Sequence, residues 1–331
     1  MFEKFNKPIV ITGANSSGKT LLSLYLANLI KAEIFSADSR QIYKHLEAGT
    51  SKPKGRWIYE NKRNIYLVEN IPYHLVDFLE IIESYNAQNY YYDFNKITND
   101  VRTKNIIICG GTGLYINILF NPLDILPQAN QSIRMQLKEF ADRYGKDKLY
   151  QKLIEIDPES AQKIHPNNIQ RIIRALEVSI LTSKPYSKLI SGDIFDTKNY
   201  RKAFFIFLKW RKDLLYKRIK KRTKDFFDEW VYETKKVIAN GYPTDSPGLK
   251  SIGYPEIIKY INGQLDKNET IEIIVKLSME YAKRQNTWFK RYPSLLIEIN
   301  EEKDFDPEKI SKNIIEKYNE NTTYNNTEQK R

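Results

Sequence analysis

At 331 residues the chain can bury one large core or two smaller ones, so a main domain with an inserted piece is the expectation. Its 53 Lys and Arg against 41 Asp and Glu leave a net charge of +12, which favours polyanionic partners such as nucleic acid or an anionic membrane surface. The single cysteine, Cys109, excludes a disulfide framework and a cysteine-based zinc site. No apolar stretch approaches the roughly 20 residues that span a bilayer, and the start Met1-Phe-Glu-Lys lacks an apolar signal region, so a cytoplasmic protein with no membrane partner is expected.

The first predicted element is a strand over residues 9–12, followed at once by Gly13, Ala14, Asn15, Ser16, Ser17, Gly18, Lys19 and Thr20, the pattern G-x-x-x-x-G-K-T. Its glycines let backbone N–H groups turn inward on an anion, Lys19 reaches the outer phosphates, and Thr20 offers a hydroxyl to Mg²⁺. Leu21, Leu22, Leu24, Leu26, Leu29 and Ile30 then follow at helical spacing, which aims a helix N-terminus at the same anion. A second strand at 34–36 runs into Asp38, Ser39, Arg40 and Gln41, placing a carboxylate and a guanidinium where open α/β sheets bind ligands. Position alone equally suits Asp38 as an N-cap.

Further strands are predicted at 74–78 and 106–109, the latter followed by Gly110-Gly111-Thr112-Gly113, where the backbone could approach a ligand closely. Residues 121–199 hold no convincing strand and read as a helical insertion, with a helical pattern over 133–144. Within it Ile169, Ile172, Ile173, Leu176 and Ile180 share one helical face, while Gln170, Arg171 and Arg174 fall largely off it. A strand at 203–209 precedes a helical block over 212–291, in which Arg218 and Arg222 stand four apart; such a pair suits either a phosphate clamp or a solvated face. Residues 281–291 interleave cations and aromatics, a composition for stacking on RNA, although Tyr281 and Trp288 also fit a core stripe with Ile274 and Leu277. A last strand is predicted at 295–299, and the polar run from 318 to 331 reads as a disordered tail. Strands alternating with helices imply an α/β fold, a parallel sheet covered by helices; residues 1–120 and 200–317 form its core domain and 121–199 the insertion.

In combination, residues 13–20, Ser36-Ala-Asp-Ser-Arg-Gln41, Gly49-Thr-Ser-Lys-Pro53, Tyr73-His-Leu-Val-Asp77, residues 110–115, Gln170-Arg-Ile-Ile-Arg-Ala-Leu-Glu177, Ile252-Gly-Tyr254 and residues 281–289 resemble the tRNA dimethylallyltransferases of the bacterial type, over about residues 8–292. The chain departs from the family pattern at Glu47-Ala48, Ser51, Tyr73, Phe226 and Glu229-Trp230, and lacks the zinc finger of many eukaryotic members. The resemblance implies a P-loop NTPase-like core and transfer of a dimethylallyl group from dimethylallyl diphosphate to N6 of the adenosine just 3′ of the anticodon. It also implies Asp38 as proton acceptor, and Lys19, Thr112, Arg222 and a Mg²⁺ held through Thr20 on the departing diphosphate, which residues 13–20 would cradle. For the tRNA anticodon stem-loop it implies Asp38, Ser39, Arg40, Gln41, Thr112, Arg134, Gln170, Arg171, Ile172, Ile173 and Arg174, in a monomeric enzyme. The chemistry suits these residue types: an aromatic amine is a poor nucleophile and needs both a base and a carbon with a good leaving group. Three other readings keep the same loop: an isopentenyltransferase of free adenine nucleotides, a small-molecule kinase, and a noncatalytic RNA-binding protein.

Overall fold

The computed structural model describes residues 2–60, 63–124, 126–190 and 196–328, and the chain divides into two compact units, Met1–Phe120 with Thr197–Arg331, and Asn121–Asp196. Among the described residues no helix is long and apolar enough to cross a membrane.

In the first unit the buried strand β1 (Ile9–Gly13) leads through the glycine loop to α1 (Lys19–Ile30), then β2 (Glu33–Ser36), β3 (Arg56–Glu60), β4 (Arg63–Val68), β5 (Ile71–His74), α2 (Ala87–Asp100), β6 (Ile106–Cys109) and α3 (Gly113–Phe120). The second unit follows as α4 (Gln131–Tyr144), α5 (Lys146–Ile156), α6 (Pro158–Lys163) and α7 (Ile169–Thr182). The chain then returns to the first with β7 (Phe204–Trp210), α8 (Lys212–Asp225), α9 (Phe227–Ala239), α10 (Tyr254–Ile261), α11 (Lys267–Phe289), β8 (Ser294–Ile299) and α12 (Pro307–Glu328).

The strands form one sheet in the order β3-β4-β5-β2-β6-β1-β7-β8. From β5 to β8 every pairing is parallel, and the central strands β1 and β6 are buried along their whole length, as unbroken apolar runs covered on both faces must be. Two antiparallel pairings extend the β5 edge through β4 to β3. Neither β3 nor β4 was expected from the sequence: Arg-Trp-Ile-Tyr-Glu lies mostly exposed at the sheet edge and carries no apolar run, whereas β4 does carry the run Ile65-Tyr-Leu-Val68. The strand expected at 74–78 instead ends at His74: Leu75 (φ 59°) and Asp77 (φ 56°) adopt left-handed backbone that a strand cannot continue through.

Of residues 318–331, expected as a disordered tail, 318–328 continue α12 and 329–331 lie outside the described residues. The reason is packing that a polar composition hides: the half-buried Tyr318 stacks edge-on to Phe204 with ring centroids 5.6 Å apart and donates to Lys7 O at 2.9 Å. The second unit has its own core, in which Leu137, Leu149, Leu153, Ile172 and Leu176 are buried together.

Candidate active site

Because β2, β6 and β1 are parallel neighbours, their carboxyl ends open on one edge of the sheet. There the phosphate loop, the turn after β2 and Gly110 after β6 line a cavity of about 730 Å³, together with Arg218 and Arg222 from α8. Gly18 sits at φ 88° just ahead of α1, a conformation that side chains rarely adopt, and a Cβ there would lie 2.2 Å from the Phe305 ring. No side chain caps α1, so its first N–H groups stay available to an anion. Inside the loop Lys19 Nζ donates to Ala14 O at 2.6 Å. Burial holds the Lys19 pKa below the ordinary lysine value and the Arg222 charge pushes the same way, while Cys109 and Asp38 pull it up. Asn15 Oδ1, Ser16 Oγ and Ser17 Oγ are buried with no hydrogen-bond partner, which is the condition of a cradle built for a polar guest. The donor set also fits Mg²⁺: Thr20 lines the cavity, and a magnesium ion needs only one or two protein ligands when phosphate oxygens and water supply the rest.

At the end of β2, Asp38 Oδ1 accepts the N–H of Arg40 at 2.8 Å and of Gln41 at 3.4 Å. Residues 39–42 form turns and no helix follows, so Asp38 is not a helix cap. Thr112 ties this turn to the β6 loop: its N–H donates to Ala37 O at 3.0 Å, its Oγ1 accepts Ser39 N–H at 2.9 Å, and its hydroxyl donates to Ser39 Oγ at 3.2 Å. Gln41 is buried, and its amide donates to Thr50 O and Ser51 O while accepting from Ser36. Its side chain therefore holds the loop at 49–52, and the residue also lines the cavity. Arg222 Nη2 donates to Ala48 O at 3.1 Å and Gly49 O at 3.2 Å, and burial lowers its pKa against the opposing pull of Tyr254 and Asp38.

The sequence profile of the IPP transferase family matches residues 41–292. The chain belongs to this family. It is 43% identical over 294 residues to the tRNA dimethylallyltransferase of Elusimicrobium minutum, covering 87% of this chain and 92% of that one. A protein of the same name from a Thermoanaerobacter strain is 36% identical over 315 residues, covering 93% and 96%. Among solved structures, the full-length tRNA isopentenylpyrophosphate transferase of Bacillus halodurans superimposes with a TM-score of 0.63 at 30% identity, covering 97% of this chain and 99% of that one. A eukaryotic dimethylallyltransferase acting on tRNA shares the fold, with a TM-score of 0.69 at 24% identity over 89% of this chain and 74% of that one.

In this IPP transferase the second unit carries the remaining expected residues, and their settings differ sharply. Gln170 and Arg171 are exposed at the start of α7. Ile172 is fully buried in the core of the unit and Ile173 packs against it, so neither presents a side chain to a nucleic acid; helical geometry turns both inward, as the shared apolar face implied. Arg134 and Arg174 converge on the fully buried Glu177, at 2.9 Å and 2.7 Å, and Asn130 N–H donates to the same carboxylate at 2.6 Å. Burial works against that carboxylate, yet these donors outweigh it and its pKa lies below the usual value. The two guanidiniums are thus held by an internal carboxylate, with 38% of the Arg134 side chain and 28% of the Arg174 side chain still exposed.

Two supports of the site had no signal of their own in the sequence. Glu233 on α9 accepts the N–H groups of Glu47 at 2.6 Å and Ala48 at 2.9 Å, and Tyr254 Oη donates to it at 2.5 Å. This holds the backbone whose carbonyls engage Arg222. Trp230 roofs the same loop so closely that a Cβ on Gly49 would lie 2.4 Å from its Nε1. The stretch at 281–291 is partly resolved in favour of packing, since Trp288 Nε1 donates to Tyr292 Oη at 3.0 Å and that hydroxyl donates to Gly113 O at 3.1 Å. Lys283, Arg284 and Lys290 remain exposed.

Proposed function

We propose that this IPP transferase moves a dimethylallyl group from dimethylallyl diphosphate to N6 of the adenosine immediately 3′ of the anticodon in tRNA. The observation that carries this reading is the meeting of a phosphate loop and a carboxylate in one cavity: Lys19 and Thr20 at one side, Asp38 and Arg40 at the other. A small-molecule kinase could also set a carboxylate base beside such a loop, so it is the family match that weighs against that reading, while a pure RNA binder gains nothing from a carboxylate facing a polyanion.

The phosphate-loop N–H groups, Lys19 and Arg222 hold the diphosphate and stabilise the charge that grows on it as the allylic carbon–oxygen bond breaks. Thr20 would hold a Mg²⁺ ion, which would supply further neutralisation of that charge. Asp38, with Oδ1 fixed by two backbone N–H groups, uses Oδ2 to accept the N6 proton as the amine attacks the allylic carbon. Thr112 keeps the Asp38 turn against the phosphate side by its bonds to Ser39 and Ala37. The adenosine leaves its stack to enter the cavity, which costs least in a single-stranded loop. Exposed Gln170 and Arg171 contact the anticodon stem, and the enzyme works as a cytoplasmic monomer.

The test is incubation of purified protein with Mg²⁺, radiolabelled dimethylallyl diphosphate, and either unmodified tRNA carrying the adenosine or free AMP. Label in tRNA alone is expected, with Asp38→Ala abolishing transfer by a factor of about 10²–10⁴ while still binding tRNA. Label in AMP would make the acceptor a free nucleotide, and persistent transfer by Asp38→Ala would remove Asp38 as the base.

A further inference from the structure

The proton acceptor and the phosphate loop reside on different strands, and the transfer reaction requires them in register. Gln285 on α11 lies between the two loops and is only 4% exposed. Its Oε1 accepts Asn15 N–H at 2.8 Å, and its Nε2 donates to Gly111 O at 2.9 Å.

Each of those contacts falls on a peptide unit whose other end is in use. The peptide that offers Asn15 N–H carries the Ala14 carbonyl, which accepts Lys19 Nζ at 2.6 Å. The peptide that offers Gly111 C=O carries Thr112 N–H, which donates to Ala37 O at 3.0 Å, the carbonyl of the peptide that begins Asp38. Tyr281 Oη adds a second, longer bond to Gly111 O at 3.3 Å. Gln285 approaches Gly111 so closely that a Cβ on that residue would lie 2.3 Å from Nε2, so only glycine admits this contact. One planar amide therefore sets the tilt of two peptide planes, one under Lys19 and one beside Thr112 and Asp38.

We propose that Gln285 is a positioning residue that locks the phosphate loop to the Gly111–Thr112 peptide, and through them holds Lys19 and Asp38 at a fixed separation. The inference rests on the proposed transfer activity for its kinetic consequence and on the geometry alone for its effect on anion binding. A side chain that only filled space would be replaceable by another of the same length.

The test uses the full chain with Gln285→Leu and, as a second apolar replacement of equal length, Gln285→Met. Calorimetry with inorganic pyrophosphate and Mg²⁺ is expected to show at least about tenfold weaker binding for both, because the plane that orients Lys19 is released. In the transfer assay kcat should fall at least about tenfold with KM for tRNA within about twofold. In a Thr112→Ala background the same Gln285 substitution should cost at least about threefold less, since the hydroxyl that carries the position of the Gly111–Thr112 peptide on to Ser39 and the Asp38 turn is gone. Unchanged pyrophosphate affinity in a folded variant would overturn the proposal. So would equal kinetic penalties in both backgrounds, or a loss confined to KM for tRNA. Absence of transfer by the wild-type chain would count against the proposed activity alone, because pyrophosphate binding still decides the role of Gln285.

Discussion

Single residues in this site are tuned by what is buried beside them, and Lys19 is the clearest case. Its ammonium must be charged to meet a diphosphate, yet burial and the neighbouring Arg222 charge lower its pKa from 10.5, more than Cys109 and Asp38 restore. A lowered pKa moves the loss of charge to lower pH. The alkaline limb of kcat/KM for dimethylallyl diphosphate should therefore lie below 10.5, and Lys19→Arg, which stays charged, should remove that limb while lowering the rate overall. A limb at the ordinary lysine value in the wild type would show that Lys19 is not the group titrating. Lys19 and Asp38 were both legible in the sequence because each sits in a short contiguous motif after a strand. The fates of Arg134 and Arg174 were not. Arg174 and Glu177 are three apart on α7, a spacing the sequence shows, but Arg134 lies 43 residues from that carboxylate, and nothing in the spacing says that Glu177 is buried between them.

Most elements that carry a run of apolar residues announced themselves. The strands β1, β2, β6 and β7 were readable because a buried parallel strand must be apolar on both faces, and the edge strand β8, only partly buried, was readable from its Leu295-Leu-Ile297 run. The β3–β4 hairpin and the bend after β5 follow from edge pairing and left-handed backbone, for which composition gives no warning. The loop at 47–52 is of the same kind: its shape is imposed by Glu233 below, Trp230 above, Gln41 at its side and an ion pair between Lys52 and the half-buried Asp77. Gly49 is the point where these constraints meet. A Cβ there would lie 2.4 Å from Trp230 Nε1 and 2.6 Å from the Tyr254 ring, so the loop must shift and carry with it the carbonyls that bind Arg222. Gly49→Ala should lower kcat/KM by about 10- to 100-fold, the usual effect of misplacing a catalytic group by about an ångström. Affinity for tRNA should change little. If Gly49→Ala were fully active, the loop would be more yielding than its packing allows.

For the whole molecule the useful quantity is where the charge lies, not only how much there is. The second unit holds 11 Lys and Arg against 10 Asp and Glu, so nearly all of the net +12 belongs to the first unit. The insertion expected from the sequence, 121–199, gives the same division, since it adds only Lys198 to the 121–196 unit. A polyanion is therefore attracted chiefly by the unit that also holds the cavity. Within that unit α11 contributes Ser278, Tyr281 and Arg284 to the cavity lining, and Lys283 and Lys290 are exposed seven residues apart, on one helix face beside Arg284. The expectation is that these ammonium groups meet backbone phosphates of a strand whose base enters the cavity. Each such contact releases counterions, so the logarithm of tRNA affinity should fall linearly with the logarithm of salt concentration. Replacing Lys283 and Lys290 together with Gln should make that slope shallower by about 2, and Arg171→Gln by about 1, in equilibrium titrations of the full chain with unmodified tRNA. An unchanged slope for the lysine pair would mean that the tRNA backbone does not run along α11, and that the attracting charge lies elsewhere on the first unit.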